Sequence, residues 1–158
     1  MKEKLELRMY GLVPYSLSPI QQGIQFGHAV QEYNNMMEYG ESLSERIQFD
    51  KWRKEDKTFI ILNGGTTNNN PERFGTLNKH MVTLEDMEIK FATFREPDLG
   101  DQLTAVVFLV DEYVFNREKY PDPRDPFNQD WAWSEHLSTE ELSRVLQMRD
   151  FLKQFRLA

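Results

Sequence analysis

A chain of 158 residues, 39% hydrophobic and 13% aromatic, is long enough to bury a core and too apolar to be globally disordered. It holds no cysteine, which excludes disulfides, thiolate metal ligands and a thiol nucleophile and suits a reducing, cytoplasmic setting. Its net charge of −7, from 26 acidic and 19 basic residues, argues against a broad phosphate-gripping surface but leaves room for a local basic site. Met1-Lys2-Glu3-Lys4-Leu5-Glu6 is too charged for a signal peptide, and the longest apolar run, Ala105 to Val110, is too short to span a bilayer. No membrane partner is therefore expected.

Along the chain, Leu5 to Val13 alternates as a first strand, and Pro14 to Leu17 connects it to a helix. Ser18 at the N-cap and Pro19 at the first helical position open that helix, and Gly40 closes it. Glu41 to Lys54 forms a second amphipathic stretch, with Leu43, Ile47 and Trp52 expected on its buried side. Thr58 to Leu62 is a continuous apolar run, expected as a strand buried on both faces. Asn63 to Asn70 is expected to be a mobile loop and Pro71 to Asp86 a helix. Glu88 to Phe94 and Leu103 to Val110 read as two further strands, joined by the polar loop Arg95 to Gln102.

Tyr120 to Trp133 reads as an ordered surface loop rich in Pro, Asp and aromatics. The capping box Ser138 to Glu141 starts a last helix through Leu142, Val145, Leu146, Leu152 and Phe155. The order β-α-α-β-α-β-β-α predicts an α/β fold, a single domain over 1–158 with helices on a mixed sheet.

The first helix carries the strongest pattern. On a helical wheel Ile20, Gly23, Ile24, Gly27 and Val30 share one face, and two glycines on one stripe predict close approach of another backbone or a ligand. Gln21, Gln25, His28 and Glu32 share a second stripe, behind a helix N-terminus suited to an anion. That stripe reads either as a recognition face for a polar, phosphate-bearing ligand or as an ordinary solvated face. His28 can act as acid, base or donor near neutral pH. Arg95, Glu96, Asp98 and Asp101 crowd one loop, which reads as a charged site or as a polar turn shaped by Pro97 and Gly100. Trp131 and Trp133 read as base-stacking or packing residues. No spacing argues for a metal or cofactor, and the Gly64-Gly65 loop lacks the Lys-Ser/Thr of a phosphate-binding loop.

Gln25-Phe26-Gly27-His28-Ala29, on the first helix after the first strand, resembles the Gln-x-x-His-Ala signature of type 2 peptidyl-tRNA hydrolases. A strand opening with Thr104-Ala105-Val106-Val107, preceded by an acidic loop with Asp98, is similar to the second half of that pattern. The resemblance covers about residues 5 to 111, with 40–56 as an insertion and 112–158 as a C-terminal helical extension of a 1–111 core. The Ser-Pro-x-Gln-Gln opening is similar to phage-encoded and bacterial members.

The resemblance implies a four-stranded mixed β-sheet flanked by helices, and metal-independent hydrolysis of the ester between a peptide or aminoacyl group and tRNA. It implies that Gln25 and His28 sit in the active-site cleft, that Asp98 is the acidic partner activating water, and that Thr104 lies at the cleft floor. Ser18, Gln21, Gln22, Thr104 and Arg95 would contact the substrate, the tRNA end or another nucleotide-like ligand. Family members often pair, so a homodimer is a further expectation. The family's Gly-Lys element ahead of the signature is replaced here by Ser18-Pro19-Ile20-Gln21-Gln22, and a neutral Gln does not stabilise an oxyanion as an ammonium does. The alternative is therefore a non-catalytic module of the same fold, binding a nucleotide-like ligand or a protein partner.

Overall fold

The strand Leu7–Pro14 (β1) is buried along nearly its whole length, because the sheet places it in the middle. In the computed structural model, which describes residues 4–40, 42–127 and 131–158, four strands lie in the order β2-β1-β4-β3. β2 is Thr58–Gly65, β3 is Ala92–Glu96 and β4 is Gln102–Asp111. β1 and β2 run parallel and β3 and β4 antiparallel, so the sheet is mixed. Residues 1–3 of the N-terminal segment, residue 41 at the expected start of the second stretch, and residues 128–130 of the expected 120–133 loop lie outside the described residues.

The helices are Pro19–Glu38 (α1), Leu43–Lys51 (α2), Thr76–Asp86 (α3), Glu112–Phe115 (α4) and Thr139–Leu152 (α5). One strand-face of β1 (Leu7, Met9, Val13) joins Phe26, Ala29, Tyr33 and Met37 of α1 and Phe49 of α2 in one apolar cluster. Leu12, of opposite parity, faces α3: a side chain at Gly64 would collide with Leu77 on that helix and with Leu12 itself. Helices thus flank both faces of an α/β sheet. Among the described residues, no helix is long and apolar enough to cross a membrane.

Several expectations change, those for the strands because of their order in the sheet. The run Thr58 to Leu62 is not buried on both faces; β2 is an edge strand, and Phe59 is half exposed. The most buried strands are instead β1 and β4, which the order makes central. On the second helical stretch Leu43 and Ile47 are 71% and 60% exposed, whereas Phe49 and Trp52 are buried. There α2 passes into a π-turn, Trp52–Asp56, whose wider winding carries Trp52 inward so that its Nε1 donates to Thr58 O at 3.1 Å. The expected helix over Pro71 to Asp86 splits into a 3-10 turn, Pro71–Arg73, and α3, with Gly75 at the α3 N-cap.

The chain divides into two compact units. One comprises Leu7–Leu109 and Phe155–Ala158; the other comprises Val110–Gln154 with the segment ending at Glu6. In the second, the capping box forms as expected, Ser138 Oγ accepting from Glu141 N and Glu141 Oε1 accepting from Ser138 N. Phe155 lies past the end of α5. Arg149 is buried at the centre of this unit: its Nε donates to Tyr113 O at 3.0 Å, its Nη2 to Tyr120 O at 2.7 Å, and its guanidinium lies 5.2 Å from the Trp133 ring centroid. Trp133 is therefore a packing residue, with its Nε1 donating to Pro121 O, while Trp131 is partly exposed.

Burial raises the Asp111 carboxyl above its usual pKa range, although backbone N–H groups of Tyr113 and Val114 and the charge of Arg149 pull the other way. A raised folded-state pKa means that the stabilising contribution is full below the ordinary carboxylate range and is lost as pH rises through the folded value. Asp111→Asn, which keeps the shape, should therefore raise the thermal midpoint near neutral pH. The gain should shrink as pH falls through the carboxylate range, which melting curves across pH would show.

Candidate functional site

The two halves of the sequence pattern meet where α1 crosses β4. A register shift between Phe94 and Arg95 pairs Phe94 with Ala105 and Arg95 with Leu103, leaving Thr104 as the extra residue of a bulge. The bulge turns Thr104 toward the same helix that Ala105 faces, and its Oγ1 donates to Gln25 Oε1 at 2.6 Å, across 79 residues of sequence. The Gln25 amide in turn donates from Nε2 to Glu96 Oε2 at 3.2 Å. Hydroxyl, amide and carboxylate thus form one directed chain from β4 through α1 to the end of β3. The carboxylate fixes the amide orientation, because a flipped amide would set Oε1 against Glu96.

Gln25 is 3% exposed and Thr104 1%, so both lie beneath the surface, while Glu96 is half-buried and His28 exposed. The His28 ring stacks on Phe94, with centroids 4.5 Å apart and planes 20° from parallel. Phe94 O also lies 3.3 Å from Thr104 Oγ1. His28, Phe94, Glu96, Gln25 and Thr104 therefore form one connected patch.

The remaining expected residues are placed differently. Asp98 lies exposed in the 3-10 turn Pro97–Leu99, two residues beyond Glu96. Ser18 caps α1, accepting from Gln21 N at 3.3 Å, and Gln22 Nε2 donates to Pro14 O at 3.2 Å, so both secure the β1–α1 connection. Since Pro19 has no N–H and the Gln21 N–H is engaged, this terminus keeps fewer donors for a phosphate than an uncapped one. Gln21 is exposed, as is Glu32. The stripe expected to carry both with Gln25 therefore separates, because Gln25 faces inward. The wheel face of Ile20, Gly23, Ile24 and Gly27 turns outward, Ile20 being 76% exposed. A side chain at Gly23 or Gly27 would meet nothing within 4 Å, so no other backbone among the described residues approaches this stripe.

Arg95, one residue before Glu96, points to the other side of the strand. Its Nη1 donates to Asn69 Oδ1 at 2.9 Å, and Asn69 Nδ2 donates to Asp101 O at 3.1 Å, tying the β2–α3 loop to the β3–β4 turn. That loop was expected to be mobile, yet it is pinned by a residue the sequence reading passed over. Asn78 on α3 is fully buried; its Oδ1 accepts from Asn68 N at 3.1 Å and its Nδ2 donates to Asn69 Oδ1 at 3.2 Å. Thr66 and Thr76 add reciprocal bonds, the backbone N–H of each donating to the Oγ1 of the other, and Gly65 supplies the turn with φ of 90°. An Asn inside a helix, next to Leu77, was the available signal, since Asn is a poor helix former unless its amide has local partners. Glu96 was visible only as one of several acids in a crowded loop.

Among the described residues, no three or more His, Asp or Glu side chains gather as metal ligands. No known family's sequence pattern matches the chain, and no curated protein matches it significantly in sequence.

Thr104→Val keeps the shape but leaves Gln25 Oε1 buried without a donor, which should cost about 1–3 kcal/mol in denaturant unfolding. Asn78→Ala should cost about 2 kcal/mol and speed hydrogen exchange across residues 66–70, because Asn68 N–H then loses its buried acceptor.

Proposed function

We propose that the chain is an esterase-type hydrolase acting on the ester between a peptide or aminoacyl group and tRNA. The reading rests on one observation: Gln25 and Thr104, the residues that anchor the two halves of the type 2 peptidyl-tRNA hydrolase resemblance, are joined directly by a 2.6 Å hydrogen bond. His28, one turn from Gln25, and the acidic β3–β4 turn complete the same neighbourhood.

In this reading the ester lies over His28 and the carboxylates, and water attacks its carbonyl. Two carboxylates compete for the role of base. Asp98 is the one the resemblance implies, and it is exposed. Glu96 is the one held by Gln25, and an oriented, half-buried carboxylate is the better-placed proton acceptor. Gln25 and Thr104 then act as positioning residues, fixing the Glu96 carboxylate from beneath. His28, its ring stacked on Phe94, is the second group this reading places beside the ester.

The non-catalytic alternative draws support from the same site. The helix start Ser18-Pro19-Ile20-Gln21-Gln22 has no lysine, and α1 carries no Lys or Arg at all, so it brings no permanent cation to meet developing negative charge. Under that reading the patch holds a nucleotide-like ligand or a protein partner without turnover.

Release of free tRNA from labelled peptidyl-tRNA separates these readings. Glu96→Gln should lower turnover by about 10²–10⁴-fold, while Asp98→Asn should leave most of it. The reverse ranking would return the role of base to Asp98. A folded wild-type protein without turnover would reject the hydrolase reading for that substrate.

A further inference from the structure

The outer edge of β2 is partly covered by the chain itself. Asn63 N donates to Arg156 O at 2.8 Å and Ala158 N donates to Ile61 O at 3.0 Å. Leu62 and Leu157 form an antiparallel bridge, so Arg156-Leu157-Ala158 lies along β2 as a short extra strand. Phe155, just ahead of it, meets His80 of α3 edge-on with ring centroids 4.7 Å apart. Leu157 is 73% exposed, so backbone bonds hold the segment rather than burial of its own leucine.

What the segment covers is chemically distinctive. Thr58-Phe59-Ile60-Ile61-Leu62 has no charge and no proline and is built from β-branched, aromatic and aliphatic residues, the composition of a strand that pairs readily with another. With β1 bonded on one side, alternate residues of β2 direct their backbone groups to the other. The bonds to Ile61 O and Asn63 N identify 59, 61 and 63 as the outward set. Phe59 belongs to that set, is 54% exposed, and lies beyond the residues that 156–158 engage.

We infer that the β2 edge is a pairing surface for β2 of a second copy of this chain, held closed by residues 156–158. A two-fold axis at Ile61 sets Ile61 against Ile61 and Phe59 against Asn63. Outward backbone groups then meet outward backbone groups, and no like charges face each other, so the strand is self-complementary in antiparallel register. The segment 156–158 uses the same groups on Ile61 and Asn63, so the closed edge and the paired edge exclude one another. This inference stands apart from the hydrolase reading and survives its failure.

The test is sedimentation velocity against protein concentration, with circular dichroism as the check on folding. Wild type should sediment as a monomer, and a chain lacking residues 156–158 should shift with concentration to twice that mass. Ala158→Pro, which removes the N–H bonded to Ile61 O and leaves the rest of the chain in place, should shift in the same direction. Adding Phe59→Lys to the shortened chain places charge on the paired edge and should return it to monomer. A folded shortened chain that stays monomeric overturns the inference, as does a dimer indifferent to Phe59→Lys or a wild type already dimeric through this edge. Should the shortened chain fail to fold, Ala158→Pro decides: a folded monomer at every concentration overturns the inference.

Discussion

A primary amide cannot be buried cheaply unless both of its ends are satisfied, and Gln25 is the buried amide on which this structure turns. Its oxygen requires the Thr104 hydroxyl and its nitrogen requires the Glu96 carboxylate. Those two demands fix the rotation of α1 about its axis. With Gln25 inward, Phe26, Ala29, Tyr33 and Met37 pack on the sheet while Ile20 and Ile24 face solvent. The β4 bulge serves the same end, since in a regular ladder Thr104 and Ala105 would point to opposite faces. Gly11 completes the fit, because a side chain there would overlap the ring of Phe26.

The two sides of β3 are tied down by different means. On the α1 side a buried amide reaches Glu96; on the α3 side Arg95 joins Asn69, which Asn78 holds from below. Alternation along a single strand thus sends neighbouring residues into separate polar networks. Both networks use short amide and hydroxyl side chains, whose bonds are directional and whose loss strands a buried partner. The turn bearing Asp98 is therefore fixed at both flanks and presented at an exposed tip. In the unit comprising Val110–Gln154 and the segment ending at Glu6, Arg149 plays the corresponding part, its guanidinium drawing the carbonyls of Tyr113 and Tyr120 to α5.

The local signals in the sequence were dependable wherever the chemistry was local. Ser18-Pro19 began α1 and the Ser138 to Glu141 box began α5, since an N-cap needs only its own backbone within three residues. The order of strands and helices was legible for the same reason. Gln25, His28 and Thr104 stood out in the sequence as residue types, but only the fold brings Gln25 against Thr104.

Tertiary structure alone decided which faces are buried and which carboxylate the amide selects. Hydropathy ranks Ile20 and Ile24 above Gln25, and Leu43 and Ile47 above the polar residues of α2, yet the ranking fails at both helices. Burial depends on where α1 rests against β4 and on which strand lies at the edge, and neither is written in any one segment. Glu96 and Asp98 are two residues apart and alike in chemistry. Only a strand ending at Glu96 and a turn beginning at Pro97 send one carboxylate to Gln25 and the other to solvent. The sequence determined the elements and the polar residues available, and long-range pairing determined which of them meet, because a hydrogen bond spanning 79 residues leaves no trace in local spacing.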